Sequence, residues 1–245
     1  MKYIGSKARL SKDLTPIINN LIKENNINIY IEPFVGGANM IEHIKCKKKI
    51  GSDINEYLIS MWQDLQSGWT PPETISREMY NDIKKNKDKY GKSLVAVAGF
   101  CATYNAKWFG GYAGMVKTKI NTYRNYYDEA IRNIKKQMLN LFDVEFKCCD
   151  YTSYNNITNA LIYCDIPYQG TTKYGCNKNF NYNKFWNWVR EMSKDNIVLI
   201  SEYNAPNDFK CIFEKTLITT LDKSSRKKDT EKLFIHKNNL NKYIS

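Results

Sequence analysis

Apolar residues at Leu10, Leu14, Ile17, Ile18, Leu21 and Ile22 recur at helical spacing and predict an amphipathic helix near the amino terminus. The period then changes. Ile27-Asn28-Ile29-Tyr30-Ile31 alternates as a strand does, and a second short strand is expected to end near Ile50. Residues 57–140 return to helical spacing: Leu58, Met61, Trp62 and Leu65 on one helix stopped by Trp69-Thr70-Pro71-Pro72, then helical stretches over 75–89, 93–104 and 123–141. Val144-Glu145-Phe146-Lys147-Cys148-Cys149 is strand-like. Leu161-Ile162-Tyr163 is a continuous apolar run, read as a buried strand ending at Cys164 or Asp165. A helix starting around Phe185, a buried strand with a polar end over 196–203, and a closing hairpin over 211–221 and 232–235 complete the pattern. Strands alternating with helices predict an α/β protein. The expected organisation is one sheet-based domain from 1–56 and 141–245, with a helical insertion at 57–140 between the second and third strands.

Polar punctuation sits where these strands end. Glu32-Pro33-Phe34-Val35-Gly36-Gly37-Ala38-Asn39 follows the first strand, with a helix expected to begin near Asn39. Strand, glycine turn and helix form the opening unit of a nucleotide-binding fold, because glycine lets the backbone approach a ligand. The turn is neither G-x-G-x-x-G nor a Walker loop, so a phosphate cradle is not indicated. Asp53 follows the second strand 17 residues after Gly36, a spacing that suits an acid binding ribose hydroxyls and equally a cap for the next helix. Asp150 follows the third strand. Asp165-Ile166-Pro167-Tyr168 follows the fourth; it reads either as an ordinary proline turn or as a hydrogen-bond acceptor beside an aromatic ring, suited to a flat, amine-bearing heterocycle. The long polar loop 169–183 comes after it.

Charge adds a partner class. The 245 residues carry a formal net charge of +12, which favours a polyanion, with nucleic acid first. Codon bias in an AT-rich genome produces the same abundance of Lys, Asn, Ile and Tyr, so charge alone leaves both open. Lys107, Lys117, Lys119 and Arg124 interleave with Trp108, Phe109, Tyr112 and Tyr123 as on a nucleic-acid surface, though a solvated helix face has a similar composition. Residues 107–114 are expected to form a flexible glycine-aromatic loop. A second basic loop at 223–228 includes Lys227. Seven Cys without a C-x-x-C pair and only two His suggest reduced intracellular thiols, no zinc site and no other metal. No apolar run is long enough for a membrane helix, and no signal-peptide core follows Met1.

Taken in order, the motifs resemble those of Dam-type, α-group (D12 class) DNA adenine-N6 methyltransferases. Tyr3-Ile4-Gly5-Ser6-Lys7 is similar to the family's amino-terminal cofactor motif, and Glu32-Pro33-Phe34-Val35-Gly36-Gly37 to its glycine motif. Ser52-Asp53-Ile54-Asn55 resembles its ribose-binding motif, and Asp165-Ile166-Pro167-Tyr168 its D-P-P-Y catalytic motif, with Ile166 where Pro is usual. Ser201-Glu202-Tyr203 and Thr230-Glu231-Lys232-Leu233-Phe234-Ile235 are like its later segments.

The resemblance implies a Rossmann-like S-adenosylmethionine (SAM)-dependent sheet with a helical target-recognition insertion at 57–140. It implies SAM contacts from Tyr3, Lys7, Glu32, Pro33, Phe34, Gly36, Gly37, Asp53, Asp150 and Asp165. Asp165, Ile166, Pro167 and Tyr168 would form the catalytic turn. Lys107, Trp108, Tyr112, Lys117, Lys119, Arg124 and Lys227 would face double-stranded DNA. The implied activity is methyl transfer from SAM to N6 of an adenine flipped out of the duplex, in the cytoplasm, with or without a cognate restriction enzyme. The rival readings are an RNA or protein methyltransferase and a catalytically silent DNA-binding protein on the same scaffold. Asp165 disfavours a protein-amide enzyme, whose related motif usually begins with Asn, and intact Asp53, Asp165, Pro167 and Tyr168 disfavour a decayed scaffold.

Overall fold

A computed structural model of the chain describes residues 1–3, 5–117, 122–169, 180–219 and 227–244. The strands are β1 (Ile29–Glu32), β2 (Lys48–Asp53), β3 (Met115–Lys117), β4 (Tyr123–Asn125), β5 (Val144–Cys148), β6 (Ala160–Asp165), β7 (Ile197–Glu202), β8 (Phe209–Thr219) and β9 (Lys227–His236). Seven form one mostly parallel sheet in the order β5-β2-β1-β6-β7-β9-β8; β3 and β4 form a separate antiparallel pair. The helices are α1 (Ser11–Glu24), α2 (Glu56–Gln66), α3 (Arg77–Lys85), α4 (Lys92–Cys101), α5 (Tyr126–Met138), α6 (Tyr182–Asp195) and α7 (Leu240–Ile244). This is the α/β architecture expected from the alternation of strands and helices, with the Rossmann-like sheet that the family resemblance implies. By contact the chain divides into two compact units.

The first unit comprises Met1–Pro16, Val35–Ile44 and Lys49–Asp150. Here β2 runs parallel to β5, with Asp53 opposite Cys148. Helix α2 lies along β5 through polar anchors as well as apolar packing: Gln63 donates to the Phe146 carbonyl at 2.8 Å, Gln66 donates to Leu141 and Val144, and Trp62 stacks on Phe146. Val95, Ala96, Val97 and Ala98 of α4 are fully buried, so this helix is apolar on all faces and forms the centre of the unit.

The second unit comprises Ile17–Phe34, Lys45–Lys48 and Tyr151–Ser245. Strand β6 lies between β1 and β7 and pairs parallel with both; β7 pairs antiparallel with β9, and β9 with β8. Strands β6 and β7 are buried on both faces, which explains their unbroken apolar sequence. Strand order reverses between β1 and β6. Open α/β sheets bind ligands beyond the carboxyl ends of strands at such a point, and Glu32 and Asp165 end these two strands.

Three local expectations change. No long helix starts near Asn39: Gly36 and Ala38 take positive φ (46° and 54°), and the curled chain forms only a short 3-10 turn over Ile41–His43. The helix expected from 123 starts at Tyr126, because Tyr123–Asn125 pairs with Met115–Lys117. The loop at 107–114 is a packed corner. Phe109 is buried, and Trp108 packs against Phe100 at 4.6 Å, over Gly99, where a Cβ would lie 2.4 Å from the indole.

Candidate active site

In the first unit the glycine turn, the amino-terminal motif and Asp53 come together. The Tyr3 ring packs so closely on Gly36 that a Cβ there would lie 2.9 Å from the tyrosine Cε1. Phe100 lies 5.4 Å from the same ring, centroid to centroid. Gly36 needs its positive φ as well as its missing side chain, so both properties of glycine are used at one position. Its carbonyl accepts from the Trp62 indole at 3.1 Å. Its amide donates to Asp53 Oδ2 at 3.3 Å, while the Asn55 amide donates to Oδ1 at 2.9 Å.

The cap of α2 is Asn55, whose side chain accepts from the Leu58 amide at 3.2 Å; Asp53 is not needed for that purpose. Burial pushes the Asp53 carboxyl up to about 6 against the pull of its backbone donors. A carboxylate has about four acceptor positions, so the Gly36 and Asn55 bonds still permit hydroxyl donors. Lys7 is buried. Asp150 lies two residues beyond β5 and is exposed. Gly37 is hemmed in by Asn39 and Tyr3, and its carbonyl accepts from Gln137 of α5 at 2.9 Å.

In the second unit Asp165 ends β6 half-buried, followed by buried Ile166. The turn is tied down at each following residue. The Pro167 carbonyl accepts from the Tyr182 hydroxyl at 2.9 Å, the Tyr168 hydroxyl donates to Glu231 Oε2 at 2.6 Å, and the Gln169 amide donates to Glu202 Oε2 at 3.0 Å. Glu202, buried at the end of β7, also accepts from the Tyr203 amide at 2.7 Å. Tyr203 meets the Tyr168 ring edge-on at 4.6 Å. Burial, Asp165 and Glu231 all raise the Tyr168 phenol well above its ordinary range, so it is held as a protonated donor. Glu32 and Pro33 are buried, and Phe34 joins an aromatic group with Tyr151, Phe180 and Phe185.

The motifs thus supply Gly36 and Asp53 to one cluster and Asp165 and Tyr168 to another. The sequence places Glu202 and Glu231 only in segments that resemble the family's later ones, without a role for either. The available signal was an acid at the end of an apolar strand and an acid two residues before Leu233 on a period-2 face.

The nucleic-acid candidates differ in exposure and in their partners. Lys107, Lys117 and Arg124 are exposed, but Arg124 makes a bidentate pair with Glu129 at 2.6 and 2.8 Å. Trp108 and Tyr112 are half-buried; Tyr112 donates to the Ile75 carbonyl at 2.8 Å and carries Arg77 over its ring. Lys119, residues 223–226 of the second basic loop and the side chain of Lys227 lie outside the described residues. Among the described residues, no group of three or more His, Cys, Asp and Glu could hold a metal, no helix is long and apolar enough to cross a membrane, and Cys46, Cys101, Cys148, Cys149, Cys164 and Cys211 form no disulfide with one another.

A Rossmann-like α/β sheet thus carries acids at the ends of its parallel strands, with a glycine turn held to one of them and an Asp-Ile-Pro-Tyr turn at another. The family model for D12 class N6 adenine-specific DNA methyltransferases matches residues 3–94, which bears out the resemblance drawn from the motifs. Among curated proteins, the chain is 23% identical over 224 residues to the type II methyltransferase M.FokI of Planomicrobium okeanokoites, covering 78% of this chain and 32% of that protein. It is 25% identical to the type II methyltransferase M.MjaIII of Methanocaldococcus jannaschii, over 71% of this chain and 70% of that protein. It is 26% identical to the modification methylase StsI of Streptococcus sanguinis, over 70% of this chain and 29% of that protein. The chain therefore spans about a third of the length of the first of these relatives.

Proposed function

We propose that this protein is a site-specific DNA methyltransferase that transfers the SAM methyl group to N6 of an adenine flipped out of duplex DNA. The observation that carries the reading is the Asp165-Ile166-Pro167-Tyr168 turn, anchored at consecutive residues beyond a buried strand at the point where the sheet order reverses. The family match over residues 3–94 supports it.

The first cluster suits SAM. Gly36, packed under Tyr3, brings its backbone within hydrogen-bond reach of Asp53, whose half-buried carboxylate has acceptor capacity for ribose hydroxyls. Tyr3, Lys7, Glu32, Pro33, Phe34, Gly37, Asp150 and Asp165 are the other residues proposed to hold it. Bound SAM would supply an electrophilic methyl group on a sulfonium.

The adenine amine is a poor nucleophile because its lone pair is delocalised into the ring. Asp165 and the Ile166 carbonyl would accept its two N–H bonds, drawing electron density onto nitrogen and fixing its orientation. Tyr168 would stack on the flipped base, which must leave the helix to be reached. Positioning and fixed acceptors then supply the rate. Residues 57–140 are proposed as the target-recognition segment, with Lys107, Trp108, Tyr112, Lys117, Lys119 and Arg124, and Lys227 outside it, proposed to face DNA. A cytoplasmic location, and a restriction enzyme of the same specificity as a partner, are consistent with this reading. Transfer of tritiated methyl from SAM to mixed-sequence duplex DNA tests it: the parent protein labels the DNA, and Asp165→Ala reduces labelling to background. A folded parent protein that labels no duplex would overturn the proposal.

A further inference from the structure

Strand β9 carries Glu231, Leu233 and Ile235 on one face, since alternate residues of a strand point the same way. Leu233 and Ile235 are fully buried. Glu231 therefore occupies a position where the pattern calls for an apolar side chain. An acid on a core-facing position costs stability unless a partner compensates it.

The compensation comes partly from Tyr168. Its hydroxyl donates to Glu231 Oε2 at 2.6 Å, a short, charge-assisted bond spanning 63 residues of sequence. In the antiparallel register Lys232 lies opposite Glu202, which sets Glu231 beside the end of β7. There Tyr203 abuts the Tyr168 ring edge-on at 4.6 Å, and Glu202 accepts the amides of both Gln169 and Tyr203. The Tyr168 ring is therefore fixed at its hydroxyl by Glu231, on one side by Tyr203, and through the next peptide by Glu202. These three residues belong to β7, β9 and the segment just beyond β7, all outside the Asp-Ile-Pro-Tyr turn.

We infer that Glu231 is a positioning residue for methyl transfer: its carboxylate fixes the Tyr168 ring in the plane against which the target base stacks. This rests on the methyltransferase reading above and goes beyond it, because Glu231 is given no contact with cofactor or base. Tyr203 acts as the lateral stop for the same ring. A carboxylate is the better acceptor for this purpose, since it binds the phenol more strongly than a neutral group and cannot turn a donor toward it.

Steady-state kinetics on duplex DNA, with SAM affinity measured separately by calorimetry, form the test, using Glu231→Ala, Glu231→Gln, Tyr168→Phe and the double variant Tyr168→Phe/Glu231→Ala. Glu231→Ala should lower kcat about tenfold or more, the loss of one charge-assisted hydrogen bond, with SAM affinity unchanged. Glu231→Gln, which retains an acceptor oxygen, should recover most of that rate. Because Glu231 works through the Tyr168 hydroxyl, the double variant should be no slower than the slower single variant. Tyr168→Phe keeps the ring and its packing, so with Glu231→Gln it carries the test if Glu231→Ala does not fold. An active parent with Glu231→Ala within about twofold of it, or losses from the two sites that multiply, overturns the positioning role and leaves the methyltransferase reading intact. A folded parent that transfers no methyl group to any adenine-containing duplex overturns both.

Discussion

The Gly36 amide donates to the Asp53 carboxylate across 3.3 Å, joining the glycine turn to the acid after the next strand. Each half of the pair constrains the other. The turn must present its amide toward β2, and this requires the positive φ of Gly36; the acid must stay enclosed, and this raises its proton affinity.

Gly36→Ala should therefore be costly twice over. A left-handed backbone costs a non-glycine residue about 1–2 kcal/mol, and the new Cβ would meet Tyr3 at 2.9 Å. We expect a loss of about 2 kcal/mol or more in denaturant unfolding, together with weaker SAM binding. Gly91→Ser is the control: Gly91 has negative φ, nothing within 4 Å of an added Cβ and the N-cap position of α4, where Ser and Gly differ by only a few tenths, so its effect should stay within about 0.5 kcal/mol. Equal losses at the two positions would show that the Gly36 turn is not constrained.

The Asp53 carboxyl gives a pH dependence of defined sign. Its value is raised from 3.8 to about 6, so the folded protein holds this proton more tightly than the unfolded chain does. Its contribution to stability is present below 3.8 and is lost as pH rises toward about 6. Ribose hydroxyls need the ionised acceptor, so SAM affinity should move the opposite way, rising through about pH 6 and levelling above it. Calorimetric titration from acid to neutral pH measures this, and Asp53→Asn should abolish the dependence. A profile in Asp53→Asn identical to that of the parent would assign the titration to another group.

Ile166 is buried, so its side chain contributes packing where the family's usual proline would contribute a fixed φ. Pro167 already biases residue 166 toward extended backbone. Ile166→Pro should accordingly change the methyl-transfer rate by less than about tenfold, one decade being 1.36 kcal/mol. Asp165→Ala, measured beside it, should fall to background. Restoration of an otherwise inactive parent by Ile166→Pro would mean that the natural turn is not a working one.

Much of the sheet was legible because β6 and β7, buried on both faces, have to be written as unbroken apolar runs. Asp165 was legible for a related reason, as the polar residue closing such a run, whereas Asp53, after Lys49-Ile50-Gly51-Ser52, was legible from its spacing of 17 residues from Gly36. The β3–β4 pair was not, since three residues per strand carry no usable alternation. The corner at Trp108 was misjudged because aromatics and glycines compose both a mobile stacking loop and a packed one; the deciding fact is the close fit of the indole over Gly99, a contact supplied by the preceding helix. Glu202 and Glu231 escaped notice because their partners are set by the pairing of β7 with β9, which the local sequence does not specify.

The basic residues give a salt dependence. Lys107 and Lys117 are exposed, whereas Arg124 is already paired with Glu129. Replacing Lys107, Lys117 and Lys119 together by Ala should reduce the slope of log affinity against log salt by up to about 3, at about 0.9 for each phosphate contact on duplex DNA. Arg124→Ala alone should change it by less than one contact. An unchanged slope in the triple variant would place the DNA-binding face elsewhere.

The proposed methyl acceptor is one atom, N6 of adenine. Duplex DNA incubated with the protein and SAM, digested to nucleosides and resolved by mass spectrometry, should contain N6-methyl-2′-deoxyadenosine, absent when Asp165→Ala replaces the parent. Methylated cytosine in its place, or a methyl group found only on RNA or protein offered in parallel, would contradict the account.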